Sequence, residues 1–147
     1  MKRFRFPLDP VRRWRGEQAR AAEIGLERLL DERSVRQRAL EFLQAGVAAE
    51  VAGVLESSTV DAVSLAALDA YRRHTAREGG RIRVEIGQCD QRIEEQRQRV
   101  VAARRQVRLL DRLQERHFEK WKAEAAREEE QLASDLFLAR LNSPGWR

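Results

Sequence analysis

Residues 82–121 read IRVEIGQCDQRIEEQRQRVVAARRQVRLLDRLQERHFEKW, and spacings of four and three residues alternate along this stretch. Nine of the twelve residues at these spacings are apolar. The twelve positions are Ile82, Ile86, Cys89, Ile93, Gln96, Val100, Ala103, Val107, Leu110, Gln114, His117 and Trp121. A repeat of about 3.5 residues is the narrow seam of a left-handed coiled coil, and the intervening Arg, Glu and Gln residues suit a solvated flank.

An earlier stretch carries the same spacing less cleanly, with six apolar residues among nine positions. These positions are Leu26, Leu29, Arg33, Arg36, Leu40, Leu43, Val47, Glu50 and Val54. Asp9 followed by Pro10 is typical of an N-cap and the first helical residue, so we predict a first long helix over about 10–55.

A polar turn separates the two seams, because Ser57, Ser58 and Thr59 carry hydroxyls that compete for backbone hydrogen bonds. Two narrow apolar stripes joined by a short turn cover each other most simply by folding back antiparallel. Gly79-Gly80 favours a break, which would leave a turn and a short tip helix over 56–80 before a second long helix over 81–141; toleration of both glycines within the helix is the open alternative. Asn142, Ser143, Pro144 and Gly145 would end that helix.

The sequence therefore predicts one all-α domain over 1–147: an elongated antiparallel two-helix coiled coil with a short tip helix and flexible ends at 1–9 and 142–147. Charged residues make up 36% of the chain and aromatic residues 6%, which disfavours a globular core. The single cysteine, Cys89, and the lack of an apolar stretch of about 18 residues lead us to expect a protein of the reducing cytosol.

Catalysis is not expected, because a bare pair of helices offers no pocket in which pKa values could be shifted. We expect no cofactor, no metal and no small-molecule ligand. His117 and Cys89 fall on the seam and are interpreted as packing residues, and Gly79-Gly80 is interpreted as a hinge instead of a phosphate loop.

The segment FRFPLDPVRRWR, residues 4–15, is aromatic and basic, and the first sixteen residues carry six basic side chains against one acidic. That balance equals the net charge of the whole chain, +5, so the remainder is neutral. Such an end suits an acidic protein surface, although stacking of nucleic-acid bases is also open. A third interpretation has the apolar residues of this segment cap the coiled coil by packing on Leu132, Leu136 and Phe137.

The whole pattern resembles the flagellar export protein FliJ family. The family opening F-x-F-x-L-x-x-V-x-x-x-R-x-x-x-E-x-x-A is met by Phe4, Phe6, Leu8, Val11 and Arg15, with a shifted Glu17 and with Ala21 and Ala22. The family's Leu-x-x-x-x-x-Tyr tip segment is met by Leu65, Leu68 and Tyr71, and an acidic run, Glu128 to Glu130, precedes Gln131 and Leu132. The chain departs from the family pattern at Gly79-Gly80 and in its preference for arginine over lysine.

This resemblance implies a coiled coil similar to the central stalk subunit of rotary ATPases. It implies a non-enzymatic coupling factor and chaperone-escort protein of flagellar type III export, in the cytoplasm and peripherally associated with the inner membrane at the flagellar base. One end would bind the hexameric export ATPase through Phe4, Phe6, Leu8, Arg12, Arg13, Trp14 and Arg15. The tip residues Leu65, Leu68 and Tyr71 would bind the cytoplasmic domain of the export gate membrane protein, and export substrate chaperones would be further partners. The alternative is a basic coiled coil that binds nucleic acid or serves as a general scaffold.

Overall fold

The computed structural model describes residues 3–142 and 145, and two long helices account for most of them. Helix α1 spans Asp9–Glu56 and helix α2 spans Ala62–Leu141. Among the described residues there is no strand. The all-α prediction and the pair of long coiled-coil helices are confirmed.

Helix α1 begins one residue earlier than predicted. The amide of Arg12 donates to the carbonyl of Leu8 at 2.9 Å, which makes Leu8 the residue that precedes the helix. The carboxylate of Asp9 pairs with Arg13 at 2.8 Å and Arg12 at 3.3 Å. Asp9 therefore acts through its charge in the first turn, where a negative group is favoured by the helix dipole.

In the turn at 57–61, two short polar side chains cap the ends of the helices on either side. The hydroxyl of Ser57 donates to the carbonyl of Val54 at 2.8 Å, at the end of α1. Asp61 accepts a hydrogen bond from the amide of Ser64 at 2.8 Å and is the N-cap of α2. Each helix end thus has some of its unpaired backbone groups satisfied locally.

The predicted break at Gly79-Gly80 is wrong, since α2 runs through both glycines without interruption. Residues 62–78 are accordingly the first turns of α2 and do not form a separate tip helix, so the second long helix does not start at 81. The seam itself explains this continuity, because the buried residues Thr75 and Gly79 extend the spacing of Ile82 and Ile86 toward the turn. Packing along one seam outweighs the low helix propensity of two glycines.

The chain divides into two compact units, each of which contains part of α1 and part of α2. The first unit, residues 20–101, holds most of the buried apolar side chains. Leu40 of α1 is buried, as are Ile86, Cys89, Ile93 and Val100 of α2. In this unit Arg33 pairs with Asp90 at 2.5 Å and Arg36 pairs with Glu85 at 3.2 Å. As residue numbers rise from 33 to 36 on α1, those of their partners on α2 fall from 90 to 85. The two helices are therefore antiparallel in this unit.

Polar residues on the seam of this unit are accommodated by a glycine. The side-chain amide of Gln96 donates to the carbonyl of Ala22 at 2.9 Å. A Cβ atom on Gly25 would lie 3.0 Å from the amide nitrogen of Gln96, which is tighter than ordinary packing. The lack of a side chain at position 25 therefore makes room for a hydrogen-bonded glutamine.

The second unit, residues 1–19 and 102–147, is held together differently. Its buried apolar residues among those described are Phe6, Ala19 and Ala125. Arg12 of α1 pairs with Asp111 of α2 at 2.7 Å, and Phe6 lies against His117. From Arg12 back to Phe6, which precedes α1, the residue numbers fall while those of their partners on α2 rise from 111 to 117, so the start of the chain runs antiparallel to α2 in this unit too.

Burial agrees with the predicted seams at all but two positions. On α2 every predicted seam residue is buried or half-buried except His117, which is exposed. On α1 the exception is Glu50, which is exposed, while Val51 is half-buried in its place. One position of the α1 seam therefore lies at 51 and not at 50, and the seam returns to the predicted spacing at Val54.

Candidate partner-binding surfaces

The aromatic residues of the N-terminal segment divide into packed and exposed groups. Phe4 makes an edge contact with Phe118 at a ring separation of 5.2 Å and lies 5.8 Å from Trp121. Phe6 is 7% exposed and meets the imidazole of His117 edge-on at 5.6 Å. These two phenylalanines hold residues 3–8 against α2, so they supply packing where the sequence suggested partner contact.

The third interpretation of this segment is therefore right about packing and wrong about its location. Phe4 and Phe6 contact residues 117–121 of α2. Leu132, Leu136 and Phe137, which were expected to receive them, are each more than 60% exposed. Sequence analysis placed Trp121 on the seam but gave no role to Phe118, whose position between seam residues conceals it from a heptad pattern.

The remaining apolar residues of this end face solvent. Leu8 is 37% exposed and Trp14 is 50% exposed, and Val11 between them is 43% exposed. The guanidinium of Arg15 lies 4.8 Å from the ring centre of Trp14, a cation–π contact. An exposed apolar strip with a cation stacked on it has the composition of a binding anchor.

The arginines of this end differ in what holds them. Arg12 donates to Asp111, and that hydrogen bond, with the nearby negative charges, raises the pKa of Arg12 above its ordinary value. Arg13 pairs with Asp9 at 2.8 Å but keeps most of its side chain exposed. Arg15 shares a hydrogen bond with Gln18 at 3.2 Å. Arg12 is thus held in an ion pair between the two helices, whereas Arg13 and Arg15 have no such partner in the described part of α2.

The three predicted tip residues lie in the first turns of α2 with different exposure. Leu65 is 51% exposed, Tyr71 is 37% exposed and Leu68 is half-buried. A Cβ atom on Gly46 would lie 2.9 Å from the hydroxyl oxygen of Tyr71, so this tyrosine reaches across to α1. Leu65 is the freest of the three, and Tyr71 combines packing with partial exposure.

An open groove of about 300 Å³ lies beside Tyr71 in the unit formed by residues 20–101. Leu40, Leu43 and Val47 of α1 supply its apolar side. Its α2 side is made by the small residues Thr75, Ala76 and Gly79, of which Thr75 and Gly79 are buried, together with Arg72 and Arg83. The hydroxyl of Thr75 is satisfied within α2 by the carbonyls of Tyr71 and Arg72, each at 3.0 Å, which leaves the groove without an unpaired buried polar atom among the described residues.

Two further residues with reactive side chains, Cys89 and His74, occupy positions typical of packing and of a solvated helix face. Cys89 is buried at 2% exposure within the seam, and His74 lies on an exposed face. Across the described part of the chain, no three His, Cys, Asp or Glu residues cluster with the geometry to hold a metal ion. Neither helix, within residues 3–142, contains an apolar stretch of the length that a bilayer requires.

The family model described as Flagellar FliJ protein matches residues 4–141, which is nearly the whole chain and both of its helices. The chain belongs to the FliJ family. Neither a curated protein nor a solved structure shows significant similarity to this FliJ-family chain. Membership implies a role related to flagellar export, and the match covers the N-terminal segment, the tip residues and the groove.

Proposed function

We propose that this chain is a non-enzymatic coupling factor and chaperone-escort protein of flagellar type III export. It binds the hexameric export ATPase through the N-terminal part of α1 and the cytoplasmic domain of the export gate membrane protein through the start of α2. Export substrate chaperones are further partners, and the protein acts in the cytoplasm at the flagellar base, peripheral to the inner membrane. Family membership supports the export role.

The observation that carries the ATPase contact is the exposed strip of Leu8, Val11 and Trp14 with Arg15 stacked on it. These apolar side chains are exposed to water in the isolated chain. A partner that covers them gains about 25 cal/mol of binding free energy for each Å² of apolar surface removed from water. Arg13 and Arg15 add positive charge, which speeds docking onto an acidic partner. Phe4 and Phe6 contribute indirectly by holding residues 3–8 in place.

The test of the ATPase contact replaces Leu8 and Trp14 with alanine together and measures stimulation of the export ATPase. We expect stimulation to fall at least about tenfold, because two exposed anchors are removed without disturbing the buried contacts of Phe6. The control is Phe42→Ala, which also removes an exposed large apolar side chain from α1, at 79% exposure. Equal stimulation by the double variant and the wild-type protein would refute the contact.

The gate contact is proposed for Leu65, Leu68 and Tyr71 together with the neighbouring groove. Leu65→Glu should weaken binding of the gate's cytoplasmic domain, since it places a charge on the most exposed residue of the three. Val63→Glu is a matched control, because Val63 is also exposed and lies two residues away on α2. Equal losses in both variants would argue against this surface.

Binding to nucleic acid is the second candidate function, because the N-terminal end is basic and carries an exposed tryptophan. Salt dependence separates the two candidates. A nucleic-acid complex loses affinity steeply with salt, with a log–log slope of about −0.9 per duplex phosphate neutralised, whereas an apolar-anchored protein complex loses less. A general scaffold would tolerate the Leu8 and Trp14 double variant without loss of any export-related activity.

A further inference from the structure

A group of arginines on α2 lies outside every surface described above. Residues 96–110, QRQRVVAARRQVRLL, contain five arginines and no acidic residue. Within the unit of residues 1–19 and 102–147, the group comprises Arg104, Arg105, Arg108 and Arg112, here termed the arginine row. All four are exposed. At 3.6 residues per turn they fall within about 100° of arc on one face of the helix and span about 12 Å.

Three members of the arginine row have no ionic partner in the described part of the chain. Arg105, Arg108 and Arg112 form no ion pair or side-chain hydrogen bond with any residue in 3–142. By contrast, the inter-helix arginine of this unit, Arg12, is occupied by Asp111. Arg105, Arg108 and Arg112 therefore present unneutralised charge along one face, which an anionic partner would stabilise.

An exposed leucine lies among these arginines. Leu109 is 54% exposed and follows Arg105 by four residues, follows Arg108 directly and precedes Arg112 by three. Residues three and four apart are neighbours on a helix surface, so Leu109 lies beside Arg105 and Arg112, at the edge of the arc that the row covers. An apolar anchor next to arginines has the composition that is enriched at the centres of protein interfaces.

The leucine beside the arginine row favours a protein partner over a nucleic acid. Guanidinium groups pair through two parallel hydrogen bonds with carboxylates and phosphates alike, but an exposed leucine gains from an apolar pocket that a protein can provide. Residues 102–116 contain no aromatic side chain, so α2 itself offers no platform on which bases could stack, and the exposed tryptophan at this level belongs to α1. A nucleic acid would leave Leu109 beside a charged backbone.

We infer that the arginine row with Leu109 is a docking surface for an acidic protein surface that holds an apolar pocket. This rests on the proposed function, because the partner assigned to it is the export ATPase ring. The Arg12–Asp111 pair brings the start of α1 beside residue 111, so Trp14 and Arg15 lie at about the same level of the helix pair as the arginine row. Both helices then contribute to one partner contact.

The experiment measures binding of the full chain to three probes: the export ATPase ring, poly-L-glutamate and a duplex DNA of about 20 base pairs. Arg105→Glu with Arg108→Glu should weaken ring and poly-L-glutamate binding at least about tenfold. Arg92→Glu with Arg99→Glu is the control, since it makes the same charge change at two exposed positions of α2 outside the arginine row. Leu109→Ala should weaken ring binding about fivefold and leave poly-L-glutamate binding unchanged, because that polymer offers no apolar pocket.

The outcomes separate this inference from the proposed function. If the wild-type chain binds the ring and both charge-reversal doubles weaken it equally, the arginine row is refuted and the proposed function stands. If the wild-type chain does not bind the ring but binds poly-L-glutamate through the arginine row, the proposed function fails and the docking surface stands. Tighter row-dependent binding of DNA than of poly-L-glutamate would overturn the acidic partner, as would binding to none of the probes. Unchanged helical circular dichroism in every variant is the folding control.

Discussion

Residues 20–101 bury a line of large apolar side chains, whereas residues 3–19 with 102–142 bury Phe6 and otherwise only alanines. The first unit also pairs two α1 arginines, Arg33 and Arg36, with α2 carboxylates, and the second pairs Arg12. In the second unit every residue from 126 to 142 is exposed. Residues 20–101, here termed the stabilising unit, thus supply most of the buried packing, whereas the second, surface-bearing unit leaves more of its helix surface exposed; the proposed gate contact nevertheless lies in the stabilising unit.

Ile93→Ala tests the stabilising unit and should have the largest effect. Ile93 is 4% exposed in the seam, and truncating a buried isoleucine costs about 2–5 kcal/mol. We expect a loss at the lower end, about 2 kcal/mol, because a single layer of side chains lets water reach the vacated space. Urea unfolding followed by circular dichroism measures it. Val101→Ala, at a position that is 66% exposed, is the control and should change the free energy of unfolding by less than about 0.5 kcal/mol.

Phe6→Ala tests the surface-bearing unit and should have a smaller, local effect. The ring contact of Phe6 with His117 contributes about 0.5–1.5 kcal/mol beyond burial, but the end of a helix pair opens without unfolding the rest. We expect faster amide exchange in the first turns of α1 and around residue 117, with amides near Ile93 unchanged. Loss of protection throughout α2 would show that the two units unfold together and would weaken the comparison.

Two glycine-to-alanine changes test the packing of the stabilising unit. A Cβ atom on Gly80 would have no neighbour within 4 Å, so Gly80→Ala should raise the free energy of unfolding by about 0.5–1 kcal/mol through helix propensity. Gly25→Ala should gain less, because its methyl group displaces the Gln96 amide from the carbonyl of Ala22. Thermal unfolding of the two variants compares them directly, and equal gains would mean that Gln96 is not held at this site.

The fold was predictable because the heptad seam is a property of the sequence alone. Buried or half-buried residues appear at nearly all predicted seam positions, and the polar turn is at 57–61. The break at Gly79-Gly80 was wrong because propensity is local, whereas the continuity of α2 comes from packing with α1. Glu50 was wrong because the partner helix decides which side chain between Val47 and Val54 is covered.

Arginines on the α1 seam looked like defects in the pattern, and the structure gives them a role in register. A slip of one heptad would place Arg33 opposite Arg83 or Arg97 in place of Asp90. The same slips would place Arg12 opposite Arg104 or Phe118 in place of Asp111. Apolar seam residues tolerate a slip of seven positions, but three of these four encounters are between like charges, and the fourth loses the ion pair, so all four oppose the slip.

The candidate surfaces were predictable only in part. Sequence analysis identified the N-terminal segment but could not divide it, because Phe4 and Phe6 differ from Trp14 only in what α2 places beside them. The arginine row escaped notice because Arg and Glu alternate along much of the chain, and ion-pair partners decide which arginines are neutralised. Whether an arginine is left without an ion-pair partner depends on distances in the folded protein, which the sequence does not give.

Acid titration of the N-cap of α2 is the smallest of these tests. Hydrogen bonds from the hydroxyl and the backbone amide of Ser64 lower the pKa of Asp61 below its ordinary 3.8. Because the folded pKa is lowered, the stabilisation of the first turn of α2 is fully present above pH 3.8 and is lost as the pH falls through the lowered value. The amide chemical shift of Ser64, followed by NMR from about pH 6 to 2, should report this loss.

Asp61→Asn is the matched control for that titration, because asparagine caps a helix as well as aspartate does and does not titrate. In this variant the Ser64 amide should stay constant over the same range of pH, while amides near Ile93 should behave alike in both proteins. An identical Ser64 titration in the variant would assign the change to another acidic group. A change that spread to the Ile93 amides would mean that the start of α2 and the buried seam of residues 20–101 open as one unit.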